Sequence, residues 1–179
     1  MKTAILDRDG VINFDSPEYI KSPAEWRPIP GSLEAIARLH HEGWRVIIAT
    51  NQSGVARGLY DMATLNAIHQ KFYQLLAAAG GRVDALFICP HGPDDDCNCR
   101  KPRPGMFLNA IHRFSLDPRN TPAIGDSLRD LQAAAQAGCR PWLVRTGNGL
   151  ATETQPLPEG TQVVDDLSAA VDLWLKQES

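Results

Sequence analysis

No run of apolar residues in this chain approaches the roughly 20 needed to span a bilayer. The first apolar run, Ala4 to Leu6, is cut off by Asp7 and Asp9 and is far too short for the core of a signal peptide. The expected location is therefore the cytoplasm. Positive charge is not in excess either: 18 Lys and Arg stand against 21 Asp and Glu, for a net charge of −3 and a pI near 5.9. That balance argues against nucleic acid or an anionic membrane as partner. Cysteine is scarce, with four residues. Cytoplasmic thiols stay reduced, so a disulfide framework is not expected. Internal repeats and low-complexity segments are absent.

What is present suits a packed globular unit. The 179 residues are 43% hydrophobic, enough for one core and one domain spanning residues 1–179. Short continuous apolar runs read as buried strands at Lys2 to Leu6, Trp44 to Thr50, Val83 to Ile88, Pro122 to Gly125 and Pro141 to Val144, with a weaker one at Gln162 to Val164. Runs without alternation indicate a parallel sheet covered on both faces. Amphipathic stretches fill the gaps. Ser32 to His41 is one, and another follows Asp61, a candidate N-cap, with Leu65, Ile68, Phe72, Leu75 and Leu76 on a stripe. Further stripes are Met106, Ala110, Ile111 and Phe114; then Leu128, Leu131, Ala134 and Ala135; then Leu167, Ala170, Val171 and Trp174. The Pro/Gly-rich segment Thr146 to Gly160 reads as a surface loop, Cys139 as core, and His40, His41, His69 and His112 as surface residues. Alternating strands and helices define a doubly wound α/β fold, whose sites lie beyond the carboxyl ends of the strands. No apolar helix face is left over, so a monomer is expected.

Four strand ends carry chemistry. Asp7 and Asp9 stand two residues apart after the first strand, with Gly10 behind them to let the chain turn. Alone, this also reads as a solvated acidic turn. Thr50-Asn51-Gln52-Ser53-Gly54 follows the second strand and offers hydroxyl, amide and main-chain N–H groups to a phosphate. Arg100-Lys101-Pro102-Arg103-Pro104-Gly105 is a cationic loop stiffened by prolines, and Gly125-Asp126-Ser127-Leu128-Arg129-Asp130 is a second acidic turn running into a helix. Together they meet the needs of phosphoryl transfer. A phosphate monoester repels a carboxylate until a hard cation neutralises it, and Asp7 and Asp126 are suitable Mg²⁺ ligands. Asp7 can then attack phosphorus, Asp9 can protonate the leaving oxygen and later activate water, and Thr50 and Lys101 can hold the equatorial oxygens.

The order DxDGV, TNQSG, lysine, GDxxxD resembles the haloacid-dehalogenase superfamily of aspartyl-phosphate phosphatases, over Leu6 to about Arg145. The resemblance implies that Asp9 also gives its main-chain carbonyl to Mg²⁺ and that Asp130 supports the metal shell. The inserts after the first motif and third strand are too short for a large cap domain.

Cys89 and His91, followed by Cys97 and Cys99, form two close pairs of soft or borderline ligands. They match a tetrahedral Zn²⁺ site with every position filled by protein, hence a structural zinc on a short loop. That loop runs into Cys-Arg-Lys-Pro-Arg-Pro-Gly, and Ile12-Asn13, Asp15, Tyr19-Ile20 and Pro28 to Gly31 precede it. This arrangement resembles one branch, the D-glycero-D-manno-heptose 1,7-bisphosphate 7-phosphatases, with histidinol phosphatases as close relatives. The branch implies removal of the 7-phosphate of a heptose bisphosphate, supplying precursors for bacterial surface polysaccharide. It also implies sugar contacts from Asp15, Ser16, Pro17 and Glu18, and recognition of the remote phosphate by Arg100. Arg57 is an alternative phosphate contact. Histidinol phosphate as substrate stays open, as does a non-catalytic zinc-binding interaction module.

Overall fold

The computed structural model describes residues 1–176. Six strands form one sheet: β1 (Thr3–Leu6), β2 (Arg45–Asn51), β3 (Ala85–Cys89), β4 (Pro122–Gly125), β5 (Arg140–Val144) and β6 (Gln162–Val164). Their order is β3-β2-β1-β4-β5-β6 and every neighbouring pair is parallel. The helices are α1 (Ser32–His41), α2 (Met62–Ala78), α3 (Gly105–Phe114), α4 (Leu128–Gln136), α5 (Gly149–Glu153) and α6 (Leu167–Lys176). This is the doubly wound haloacid-dehalogenase-like architecture expected, without a large cap among the described residues.

Burial on both faces explains the unbroken apolar strands. Ala4, Leu6, Val46 and Ile48 pack under α1, α2 and α6, whereas Ile5, Ile47, Ala49 and Ala123 pack against α3 and α4. Trp174 of α6 lies between Trp44 and Trp142, stacked on the first at 6.0 Å and edge-on to the second at 5.4 Å, which locks that helix to the sheet. The Asp61 carboxylate accepts the Thr64 N–H at 2.8 Å and starts α2.

The chain builds outward from β1 through β2 to β3, then returns to lay β4 on the other side of β1. The crevice opened by that reversal lies beyond the ends of β1 and β4, where this fold class binds ligands. Asp7 and Asp126 are the first residues past those two ends.

Several expectations need correction. The segment Thr146 to Gly160 is not all loop: it contains α5, held because the Thr152 hydroxyl donates to the Asp126 carbonyl at 2.8 Å. Leu75 and Ala135 face solvent, their stripes being completed by Leu76 and Ala133. His69 is not a surface residue. It lies on the stripe of α2, three residues before Phe72, and is 3% exposed. There its Nε2 lies 3.1 Å from a guanidinium nitrogen of Arg8, which is itself fully buried. Nε2 must accept this bond, so the imidazole is neutral.

Burial, and then the charge of Arg8, push the His69 pKa from 6.5 down to about 3. The folded state therefore binds fewer protons than the unfolded one, and stability falls as pH drops below about 6.5, by up to ~1.4 kcal/mol per unit. Denaturant unfolding should show the advantage of wild type over His69→Gln shrinking by about 2 kcal/mol between pH 7 and pH 5. A pH-independent difference would contradict the buried neutral imidazole.

Candidate active site

The crevice is a cavity of about 240 Å³ whose floor is Asp7, Asp126, Lys101 and Asp130. The loop after β3 delivers Lys101, which is 2% exposed. Its ammonium donates to Asp7 Oδ1 at 2.9 Å and to the Ala49 carbonyl at 2.9 Å, and pairs with Asp130 Oδ1 at 2.7 Å. Asn51 fixes the main chain of the same lysine from both sides, accepting its N–H and donating to its carbonyl, each at 3.1 Å. Asp130 stands in the first turn of α4, where its second oxygen takes the Ser127 N–H at 3.0 Å.

Asp126 is caged by close main chain. Gly10 has φ +83° and Gly147 has φ +58°, and a Cβ on either would collide with Asp126 Oδ2. The same oxygen accepts the main-chain N–H of Asn148 at 2.8 Å. Larger residues at 10 or 147 would displace this carboxylate.

Asp7, Asp126 and Asp130 bring carboxylate oxygens within 4.8 Å of one another. Burial raises the Asp7 pKa well above the usual carboxylate range, with Asp130 adding to it against the pull of Lys101. Burial and then Asp130 push Asp126 up to about 6. With all three acids ionised, the one ammonium leaves two negative charges in a buried site; a cation that favours this ionised state is called for, and such hard oxygen donors fit Mg²⁺.

Asp9 differs. Burial raises its pKa, but Arg8 and hydrogen bonds from Asn13, Arg8 and Gln52 outweigh burial and bring it below the ordinary value. Its Oδ1 accepts from Arg8 at 2.8 Å and Asn13 at 2.9 Å, and its Oδ2 from Gln52 at 2.8 Å. Its side chain thus lies outside the acidic cluster.

Of the residues expected at the substrate, Asp15, Ser16, Asn51, Gln52, Ser53 and Arg100 line the cavity. Pro17 and Glu18 do not. The chain turns between Ser16 and Tyr19, the Tyr19 N–H reaching the Ser16 carbonyl at 3.1 Å, and this throws both residues onto neighbouring outer grooves. Tyr19 and Ile20 take the wall position instead. Thr50 is fully buried under the floor, its hydroxyl accepting from Gln52 at 2.9 Å, and it does not line the cavity. Arg57, held as an alternative, does line it, and so does Arg129, which the motif reading passed over. Arg129 lies in the first turn of α4, next to Asp130 and three residues after Asp126, a position whose direction only the α4 geometry reveals. Burial, and next the charge of Arg129, lower the Arg100 pKa, so these guanidiniums feel one another and favour an anion between them.

Cys89, His91, Cys97 and Cys99 also converge. Cys89 Sγ lies 3.6 Å from His91 Nδ1 and 3.9 Å from Cys97 Sγ, and His91 Nδ1 lies 3.3 Å from Cys99 Sγ. Three sulfurs and one imidazole at these separations fit tetrahedral Zn²⁺. The loop reaches the cavity directly, because Arg100 follows Cys99 and donates to the His91 carbonyl at 3.3 Å. Metal analysis of purified protein should find a zinc ion per chain, with content and melting temperature both reduced in Cys97→Ser. Zinc-free protein whose melting is unmoved by that substitution would contradict the site.

Comparison with known proteins agrees with this geometry. The family described as polynucleotide kinase 3 phosphatase matches residues 2–128, and the HAD-hydrolase-like family matches residues 98–170. The D-glycero-beta-D-manno-heptose-1,7-bisphosphate 7-phosphatase of Bordetella bronchiseptica is 61% identical over 178 residues, 99% of each chain. Its namesake from Pseudomonas aeruginosa is 53% identical over 172 residues, covering 96% of this chain and 97% of that one. A crystal structure of D,D-heptose 1,7-bisphosphate phosphatase from B. bronchiseptica, complexed with magnesium and phosphate, superposes with a TM-score of 0.97 at 61% identity and 99% coverage of both chains. The acids and lysine gathered at the strand reversal, and the cysteine-histidine loop beside them, therefore sit in a chain that belongs to the haloacid-dehalogenase-type D-glycero-beta-D-manno-heptose-1,7-bisphosphate 7-phosphatase family.

Proposed function

We propose that the chain is a phosphomonoester hydrolase that removes the 7-phosphate of D-glycero-D-manno-heptose 1,7-bisphosphate through an aspartyl phosphate on Asp7. The observation that carries this reading is the pairing of a charge-poised acidic floor with arginines at the cavity wall. A sugar with a phosphate at each end needs both: one phosphate on the floor, the other among Arg57, Arg100 and Arg129.

The residues divide the work as follows. Asp7 and Asp126 carboxylates, with the Asp9 main-chain carbonyl, would hold Mg²⁺, which when bound supplies the positive charge that lets an anion approach a phosphate dianion. Lys101 holds Asp7 Oδ1 and leaves Oδ2 for attack on phosphorus. As that bond forms, the bond to the sugar oxygen breaks and the leaving oxygen takes a proton from Asp9. The arriving phosphate raises the low Asp9 pKa by like-charge repulsion and so loads it with the proton. Asp9, now a carboxylate again, takes a proton from water, which attacks the phosphorus and frees Asp7. Lys101 offers its charge to the phosphoryl oxygens throughout.

Asp15, Ser16 and Tyr19 form the sugar-facing wall in this scheme, with Asn51, Gln52 and Ser53 opposite. Thr50 acts from below by holding Gln52 rather than by touching phosphate. Asn148, which donates to both Asp126 and Asp15, joins the metal side to the sugar side. No helix among the described residues is long and apolar enough to cross a membrane. Free thiols in the zinc loop suit a reducing cytoplasm, where we place a monomeric enzyme acting on this phosphorylated sugar.

Phosphate release with Mg²⁺ from heptose 1,7-bisphosphate and histidinol phosphate, side by side, tests the reading. Strong preference for the bisphosphate, abolished in Asp7→Asn, is expected; preference for histidinol phosphate would overturn the substrate. Arg100→Ala and Arg129→Ala should each raise KM for the bisphosphate by about tenfold or more, as expected from losing a charge-assisted contact, and leave monophosphate kinetics nearly unchanged. Equal losses on both substrates would remove these arginines from the second-phosphate site.

A further inference from the structure

The Gln52 side chain is 4% exposed, and each of its hydrogen-bonding groups is engaged below the cavity surface. A primary amide has a donor end and an acceptor end, so a neighbour at one end decides what the other presents. Tyr60 donates its hydroxyl to Gln52 Oε1 at 2.8 Å. The Nε2 end then donates one hydrogen to Asp9 Oδ2 at 2.8 Å and the other to Thr50 Oγ1 at 2.9 Å. Turned over, the amide would set its oxygen against the Asp9 carboxylate. Only the observed orientation satisfies both neighbours.

Tyr60 itself has no freedom. It is buried, and Gly54, two residues beyond Gln52, lies so close that a Cβ there would strike the Tyr60 ring and hydroxyl. A tyrosine two residues before α2 is thus pressed against the loop after β2, and the loop carries its grip to the end of β1. The other oxygen of Asp9 is held by Arg8 and Asn13, with Arg8 backed by His69 of α2. Both oxygens of the carboxylate therefore trace back to groups on or beside α2.

We propose that Tyr60 is a positioning residue for phosphoryl transfer: through Gln52 it fixes the angle from which the Asp9 carboxyl reaches the leaving oxygen. This rests on the hydrolase reading of the site. Tyr60 does not line the cavity, so its effect on the reaction runs through Asp9 and not through substrate binding.

Leaving-group chemistry separates positioning from plain packing. A sugar alkoxide cannot depart without a proton from Asp9, whereas p-nitrophenolate departs as the free anion. For both, kcat/KM reads the steps up to formation of the aspartyl phosphate. In Tyr60→Phe, kcat/KM on heptose 1,7-bisphosphate should fall about tenfold, part of what a positioned general acid supplies, with KM little changed. On p-nitrophenyl phosphate it should stay within about twofold of wild type. Equal losses on the two esters, or no loss on either, would overturn the proposal. Gly54→Ala pushes the Tyr60 ring and hydroxyl off the same link without touching the cavity wall and must show the same selectivity; a loss on both esters alike would overturn the proposal even where Tyr60→Phe is too unstable to assay. Wild-type protein that hydrolyses neither ester would count against the hydrolase reading itself.

Discussion

The buried ammonium of Lys101 is the contact on which the site depends. It joins Asp7 at the end of β1, Asp130 at the start of α4 and the Ala49 carbonyl of β2, while the lysine itself comes from the loop after β3. Four segments far apart in sequence meet at one charge. A buried ammonium is tolerable only when anions surround it, and buried carboxylates only when a cation does. The two requirements meet in one place, and the sheet order makes the meeting possible by laying β4 beside β1. Even so the balance is incomplete, because the acids outnumber the lysine. A divalent cation would complete it, and the same shortage of positive charge that threatens the fold suits these acids to magnesium.

From this centre two supports run outward. One is the cysteine-histidine loop, which ends on Cys99 and passes directly into Arg100 and Lys101. With zinc bound, the main chain entering the lysine is tethered on one side by the metal and on the other by Asn51. This places a loop cationic residue to within hydrogen-bonding precision without a covering domain. The second support is α2, whose His69 and neighbouring Tyr60 hold Asp9 from behind through Arg8 and Gln52. Asp7 and Asp9, nucleophile and acid-base carboxylate in the proposed mechanism, are thus held by different parts of the molecule, which lets their proton affinities be set apart: Asp7 raised, Asp9 lowered.

The sheet was legible in the sequence because strands buried on both faces leave continuous apolar runs, and Gln162 to Val164 was found even at three residues. The gathering of Asp7, Lys101 and Asp126 was legible because each follows a strand, and strand ends share one edge of the sheet. What escaped depends on side-chain direction. His69 has the chemistry of a surface residue, and only Arg8, sixty-one positions earlier, makes its burial tolerable. Pro17 and Glu18 belong to the right loop, but the turn at Ser16 to Tyr19 faces them outward. Thr50 is in the right motif, one layer too deep. Arg129, Tyr60 and Asn148 escaped because their partners lie on other elements and no spacing announces them.

The central claim is that phosphate passes through a covalent bond to Asp7. Rapid quenching of wild-type enzyme turning over heptose bisphosphate labelled with radioactive phosphorus at the 7-phosphate, followed by peptide mapping, tests it directly. The account predicts label on the peptide carrying Asp7, appearing before free phosphate in a single turnover and disappearing as phosphate is released. Full turnover with no label on that peptide, or label on another residue, would contradict it.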